Sequence, residues 1–391
     1  MSDVGTIGFT WSQVVARRLG RHGLSQPVPA ARLSHQVDVI GGAHAQVMSA
    51  AELSVGLRVA GVTRSDVRAA LWADRTLVKT YGPRGTVHLL PADGYGSWMA
   101  ALAAVPPASP RPAAMSMTAE QTDAVVAAIG SALTDAELTV DELSDAVVSR
   151  AGSWAGDLVM PAFQGMWPRW RQAVATAAHQ GALCFGPNRG RKVTYTNPAT
   201  WLPGFTGADG RTDHVLGALV RRYLHAYGPA TSPQLAQWLA APRPWAASLF
   251  EQLFAAGAIE PVTVDGTAAW VVAGDASMPD EPARGVRLLP YFDAYAVGSH
   301  PRTDVFPGRA SERALTGGQA GTVPVLLVDG IVGGVWHQRR SGRTLAVTVE
   351  PFRTLSARRR GELHDQVARL GEILEATPDL TLGEVSAGGH L

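Results

Sequence analysis

Two side chains invite a chemical reading first. His44 and Gln46 stand two apart in Gly41-Gly42-Ala43-His44-Ala45-Gln46-Val47-Met48, just after an apolar run that ends at Ile40. In an extended chain, positions two apart share a face, so the imidazole and the carboxamide would converge on one point. Such a pair can hold a water molecule, the imidazole accepting its proton and the carboxamide orienting it. A polar helix cap or a satisfied buried histidine explains the same residues, and on spacing alone that is the more economical reading. His35 and Gln36 upstream are adjacent and would point apart in an extended chain. Other familiar constellations are missing. There is no GxxxxGK[ST] phosphate loop, no HExxH pair, no Gly-x-Ser-x-Gly elbow and no dinucleotide fingerprint. The histidines are scattered without metal-ligand spacing, so the expectation is no metal and no cofactor.

The elements that must position these residues form an approximate repeat: helix, turn, helix, then two strands around a tight turn. The first unit has a helix over 49–59 and a second opened by Thr63-Arg64-Ser65-Asp66, a hydroxyl cap followed by an acid. Strands over 77–81 and 86–90 flank Gly82-Pro83-Arg84-Gly85. In the second unit, Thr139-Val140-Asp141-Glu142 is a capping box. A longer helix over 167–180 follows, with Trp170, Val174 and Ala177 at helical spacing. Strands over 183–185 and 193–195 then flank a loop from Gly186 to Lys192. The third unit has a helix over 215–227, a start at Ser232-Pro233, a helix over 244–256, and strands over 260–264 and 268–272 around Asp265-Gly266. Helix-turn-helix plus hairpin is the winged-helix plan, in which one helix can enter a major groove and the wing can reach the backbone. Three small α/β modules packed only for stability would show the same order.

Beyond residue 283 the texture changes to short strand-like runs, 286–290, 323–328, 331–338 and 344–349, with Asp329-Gly330 as a hairpin turn. They predict a small antiparallel barrel or sheet, followed by a helix over 356–375 and a partly loose tail over 380–391. The fold class expected is thus α+β, with three tandem winged-helix units in a concave arrangement before the small barrel. The segments are 1–120, 121–205, 206–282 and 283–391.

A chain of 391 residues is too long for one core, and 46% hydrophobic with 17% charged residues excludes a disordered chain. No apolar run reaches membrane-spanning length, and residues 1–11 lack the pattern of a secretory signal. One cysteine, Cys184, excludes a disulfide framework or cysteine zinc finger and suits a reducing cytoplasm; next to Phe185 it reads as a small buried apolar residue. The net charge of +1 decides nothing, but its distribution does. Basic clusters occur at Arg17, Arg18 and Arg21; at Arg189, Arg191 and Lys192; at Arg339, Arg340 and Arg343; and at Arg358 to Arg360. Any one of them alone is a solvated face, but cations recurring at hairpin tips favour phosphate contact. The tryptophans Trp167, Trp170 and Trp336 are expected in the core.

The sequence also resembles the AlkZ-like winged-helix DNA glycosylases of actinobacteria that make DNA-alkylating natural products. The likeness runs nearly the whole chain. It rests on Gly42-Ala43-His44-Ala45-Gln46, Arg84-Gly85-Thr86-Val87-His88 and Tyr227-Gly228-Pro229-Ala230-Thr231. It rests further on Leu288-Leu289-Pro290-Tyr291-Phe292-Asp293 and Val328-Asp329-Gly330-Ile331-Val332-Gly333-Gly334-Val335-Trp336. That family usually carries two glutamines around one aliphatic residue. Here Gln46 matches the second, Ala45 the spacer, and His44 replaces the first, a form similar to a subgroup associated with self-resistance to bulky guanine alkylators.

The resemblance implies a monofunctional glycosylase acting as a monomer on double-stranded DNA with alkylated purines, without cofactor, metal or membrane. His44 and Gln46 would be catalytic. From their place in the first wing, Arg84 and His88 would contact the DNA backbone or else brace a purely structural hairpin, and Arg189, Arg191 and Lys192 would touch phosphates, while Met48 and Asp293 would stand behind the site. Asp293 reads more simply as a turn residue. Two alternatives stay open. One is a non-catalytic winged-helix regulator or adduct-sequestering protein, with the final helix as its only candidate dimer element. The other is sequestration of a free aromatic drug among the tryptophans.

Overall fold

The computed structural model describes residues 7–108, 116–162, 165–208 and 210–386. The fold is mixed α and β. The chain divides into two compact units: Met1–Ala69 with Val220–Trp238 and Arg243–Leu391, and Ala70–Leu219 with Leu239–Pro242.

The first unit is built on an open five-stranded sheet, a half-barrel, in the order Val286–Leu289, Val325–Val328, Ile331–Ser341, Thr344–Pro351, Thr377–Leu382. Asp329 and Gly330, with φ of 53° and 84°, make the primed two-residue turn that matches strand twist. The helix Ala357–Leu374, capped by the Ser356 hydroxyl at the Arg359 amide, returns the chain across the sheet. This crossover lets Thr377–Leu382 pair in parallel with Thr344–Pro351. The sheet is therefore mixed rather than antiparallel, and the expected loose tail is a strand as far as Leu382; residues 387–391 lie outside the described ones.

The core between sheet and helices holds Leu288, Leu327, Trp336, Val347, Leu370 and Ile373, all nearly fully buried. Trp336 is a core residue as expected, and its indole donates to the Leu289 carbonyl at 2.8 Å. The hairpin Ile259–Val264/Thr267–Val272 turns at Asp265-Gly266, again with both φ positive. Ile7–Phe9 adds a third strand to it in parallel, an element with no local signal in the sequence.

The first arginine cluster is internal to this unit, contrary to a phosphate-contact reading. Positions 17, 18 and 21 fall on one face of the helix Trp11–Arg21, and that face is buried. Arg17 and Arg21 both bind Asp275, at 3.0 and 2.5 Å. Arg18 donates to the carbonyls of His300 and Pro229, at 2.6 and 2.9 Å. Burial, followed by the neighbouring Arg21 charge, lowers Arg17 to a pKa of about 10.

The second unit carries the hairpin Leu77–Tyr81/Val87–Pro91, helices Tyr95–Ala103, Ala119–Ala132 and Val140–Ala151, and a hairpin Cys184–Arg189/Lys192–Thr196. The Thr139 capping box forms as the sequence predicts: the Thr139 hydroxyl accepts from the Glu142 amide, and Glu142 accepts from the Thr139 amide at 2.8 Å. Leu138–Thr139 joins Lys192–Thr196 as a third strand. Cys184 is buried, and burial pushes its thiol pKa up.

Two expectations fail in this unit. Its second hairpin has a two-residue turn, Gly190-Arg191, rather than a loop from Gly186 to Lys192, because Gly190 supplies the positive φ of 65° that a tight turn needs. The helix over 167–180 breaks up. Trp167 lies in a strand, Gly165–Pro168, a 3-10 turn covers Arg169–Ala173, and only Val174–His179 is α-helical. The residue before a proline is driven toward extended backbone, and Pro168 holds Trp167 there. Trp170 is fully buried as expected, but Trp167 is 42% exposed, with the Arg171 guanidinium 4.0 Å over its ring.

Candidate active site

The segment carrying His44 and Gln46 is launched from the helix Leu33–Val39. That helix ends in a Schellman motif: the Gly41 amide donates to Asp38 and the Gly42 amide to Val37, both at 2.9 Å. Gly41 sits at φ 77°, where a side chain is strained, and a β-carbon there would lie 2.9 Å from the Trp238 ring. Trp238 in turn packs on Tyr223 and Tyr227. The Tyr227 hydroxyl donates to the Ile40 carbonyl at 2.8 Å. The end of this helix is thus held by side chains from another part of the chain.

Ala43 and His44 are strand; strand pairing ends there, and the chain bends at Gln46 and Val47, the latter with extended dihedrals, before the helix Met48–Gly56. His44 is 8% exposed, with its ring stacked on Phe292 at 4.4 Å between centroids and 27° between planes. Gln46 is exposed. Met48 is half-buried at the first helical position.

Phe292 adopts φ 55°, an unusual conformation for a bulky residue that only over-determined surroundings hold. Its amide donates to Gly321 at 2.7 Å. The next residue, Asp293, caps the short helix Ala294–Gly298 by accepting from the Tyr295 amide at 2.9 Å. Both of its oxygens also accept from Arg58, each at 2.8 Å, and Oδ2 accepts from the Ser54 hydroxyl at 2.9 Å. Arg58 and Asp293 are both fully buried. Asp293 is therefore a turn and cap residue, and its carboxylate also holds Ser54 and Arg58. It clamps the helix that follows His44 and Gln46 to the loop that carries Phe292.

Close by, His22 lies edge-on to Tyr227 and Tyr295, at 5.1 and 5.5 Å. Burial, then the charges of Arg58 and Arg18, keeps His22 well below the ordinary imidazole pKa, so it is neutral.

The residues expected at DNA are placed differently from one another. Arg84 occupies the first hairpin turn at φ 62°, half-exposed, lining a cavity of about 560 Å³ within its unit. His88 is buried at 4% exposure, and its Nδ1 lies 2.9 Å from the Thr86 carbonyl. A carbonyl only accepts, so Nδ1 carries the proton; the ring braces the turn and, as placed, does not reach outward. A β-carbon on Gly82 would meet His88 at 2.8 Å, so the turn needs that glycine.

Arg189 and Lys192 are exposed, but they are tied to the start of helix Val140–Ala151. Arg189 bonds Glu142 at 2.8 Å and the Glu137 carbonyl at 2.6 Å, and Lys192 bonds Asp141 at 2.9 Å. Arg191 stands exposed in the turn between them.

Sequence reasoning missed Phe292 as a contact of His44, and it missed Ser54 and Arg58 entirely. Phe292 was within reach, because it adjoins Asp293 in a segment that carries the family resemblance. Arg58 gave no signal, since nothing in sequence ties it to a carboxylate 235 residues away. Among the described residues no three His, Cys, Asp or Glu side chains group as metal ligands would. No described helix is long and apolar enough to cross a membrane.

Comparison with known proteins places the chain as a whole. The family model described as "DNA glycosylase AlkZ-like" matches residues 37–373, which include every residue of the His44 cluster except His22. An "Interstrand DNA cross-link repair glycosylase" from Streptomyces sahachiroi is 31% identical over 341 residues, covering 84% of this chain and 88% of that protein. The solved structure of Streptomyces sahachiroi DNA glycosylase AlkZ superposes with a TM-score of 0.78 at 28% identity, over 96% of this chain and 100% of the other. The segments that hold His44 in place are thus part of a matched whole, and the chain belongs to the AlkZ-like family of DNA glycosylases.

Proposed function

We propose that this glycosylase is monofunctional and removes bulky N7-alkylated guanines from double-stranded DNA through His44 and Gln46, in self-resistance or repair against a genotoxic natural product. The observation that carries the reading is the His44 ring, stacked on Phe292, with an exposed Gln46 two residues further on. Alkylation at N7 leaves the purine cationic and a good leaving group, so no acid is needed to protonate it. What remains is to stabilise the oxocarbenium-like sugar and to aim water at C1′. As the glycosidic bond breaks, its electron pair moves to the base and cancels the positive charge. The water oxygen bonds to C1′, and its proton passes to the neutral His44 imidazole and then to solvent. Gln46 orients the water without adding a charge.

The chain's two lysines, Lys79 and Lys192, lie outside the 33–48 segment, and Lys192 is paired with Asp141. A Schiff-base step is therefore not proposed, and the product is an abasic site.

The proposed framework is three winged-helix modules, within 1–120, 121–205 and 206–282, ahead of the half-barrel. Their turns, with Arg84 and Arg191, would meet phosphates, and the protein would act as a monomer in the cytoplasm. An open surface of this kind suits adducts too large for a tight flipped-base pocket. The Streptomyces relative is named for interstrand cross-link repair, and cross-linked duplexes belong among the substrates to test.

The deciding experiment is base release from duplexes carrying an N7-alkylguanine or an intercalator–guanine adduct. His44→Ala and Gln46→Ala are each expected to lower single-turnover release by about 10²- to 10⁴-fold with duplex binding retained. Unchanged release in the double variant would reject this pair as the catalytic one. Binding without release on every substrate would favour adduct sequestration.

A further inference from the structure

A cavity of about 530 Å³ opens in the unit that carries the half-barrel, and none of its lining residues belongs to the His44 cluster. Ile331, Phe352 and Leu355 are among its apolar lining residues, and Arg309, Arg353 and Arg359 line it together with Asp329. The nearby carboxylates are already engaged. Glu350 is shared by Arg309 and Arg313 at 2.7 and 2.6 Å, Asp329 takes Arg359, and Glu362 takes Arg358. Among the described residues, no carboxylate is within ion-pair distance of Arg353, which is exposed, or of Arg360.

The same place receives the first turn of the 18-residue helix Ala357–Leu374, where Arg358, Arg359 and Arg360 stand without an acidic residue. Cations at the positive end of a helix are unfavourable, and an anion seated there relieves both the side chains and the dipole. Guanidinium groups match phosphate oxygens in pairs, apolar lining residues suit a sugar and a base, and the volume lies in the range of small-ligand sites.

We propose that this cavity binds one nucleotide unit through its phosphate, as a second contact site that does not depend on the His44 chemistry. The nucleotide comes either from a DNA strand or from free solution, and the recognition chemistry is the same. The test titrates the full-length protein with deoxyguanosine monophosphate and with deoxyguanosine. It then measures duplex affinity across salt for wild type, Arg353→Gln and Arg309→Gln/Arg353→Gln.

The expected result is nucleotide binding at least about tenfold tighter than nucleoside binding, lost in both variants. If duplex affinity also falls, and its salt slope shrinks by about one per arginine removed, the ligand is a DNA strand. That fall alone, with no free-nucleotide binding, assigns the strand as well. If duplex binding is unchanged while nucleotide binding is lost, the ligand is a free nucleotide. Wild type that binds neither nucleotide nor nucleoside, with duplex affinity and slope unaltered in the variants, overturns the proposal, as does equal binding of nucleoside and nucleotide. Arg353 is exposed, so its variant is expected to melt like wild type, and every readout is independent of base release.

Discussion

Asp293 holds three partners at once: the Tyr295 amide, the Ser54 hydroxyl and both amino groups of Arg58. Asp293→Asn keeps an acceptor for the Tyr295 amide but removes the charge facing a fully buried guanidinium. An uncompensated buried cation costs about 3–5 kcal/mol, so urea titration should show a loss of that order. Arg58→Met combined with Asp293→Asn leaves no orphan charge and should be more stable than Asp293→Asn alone; if it is not, the pair is not the source of the loss. Phe292→Ala tests the other side of the same loop. A stacked ring is worth about 0.5–1.5 kcal/mol, so kcat should fall by up to about tenfold while duplex affinity holds. Equal losses in both would mean that Phe292 serves DNA binding rather than the placing of His44.

Among elements, the turn after helix Leu33–Val39 is the most exacting. Gly41→Ala must bear a left-handed backbone, costing about 1–2 kcal/mol, and also pushes on Trp238. Both stability and base release should drop, and urea titration with a base-release assay checks both. Thr139→Ala should cost about 1 kcal/mol through the lost cap, with base release little changed; a neutral result would mean that the neighbouring ion pairs hold the helix start without it. What was legible in sequence at this scale was what local chemistry decides. Asp265-Gly266 and Asp329-Gly330 specify their turns within two residues, and Thr139 to Glu142 specifies a cap within four. Distant partners were not legible. Thr377–Leu382 has little apolar pattern of its own and becomes a strand by pairing with Thr344–Pro351. The face of Trp11–Arg21 reads as a basic surface until Asp275 and two distant carbonyls are known. The candidate site divides in the same way: His44 and Gln46 were visible as a pair, whereas the ring beneath His44 was a tertiary fact.

For the molecule as a whole, buried neutral histidines set an acid limit. Burial lowers His22 below the ordinary 6.5 and holds His179 at about 4, while burial with the Arg302 and Arg18 charges holds His300 at about 3. These folded values lie beneath the unfolded one, so the unfolded chain takes up protons first as the pH falls. The stability they contribute is complete above about pH 6.5 and is lost below it, by up to about 1.4 kcal/mol per pH unit for each histidine. The urea midpoint should drop clearly between neutral pH and about pH 5, in both units, since His179 lies in one and His22 and His300 in the other. A flat profile would mean that these rings find water or rearrange.

The half-barrel unit is drawn from three separate stretches of sequence, the last of which closes with Thr377–Leu382. During synthesis, His44 leaves the ribosome long before Phe292, and Arg58 waits 235 residues for Asp293. A nascent or prematurely terminated chain thus carries the proposed catalytic pair without its supports. On the proposed mechanism, base release is expected only once translation is nearly complete, because Asp293 and the final strand come late in the chain.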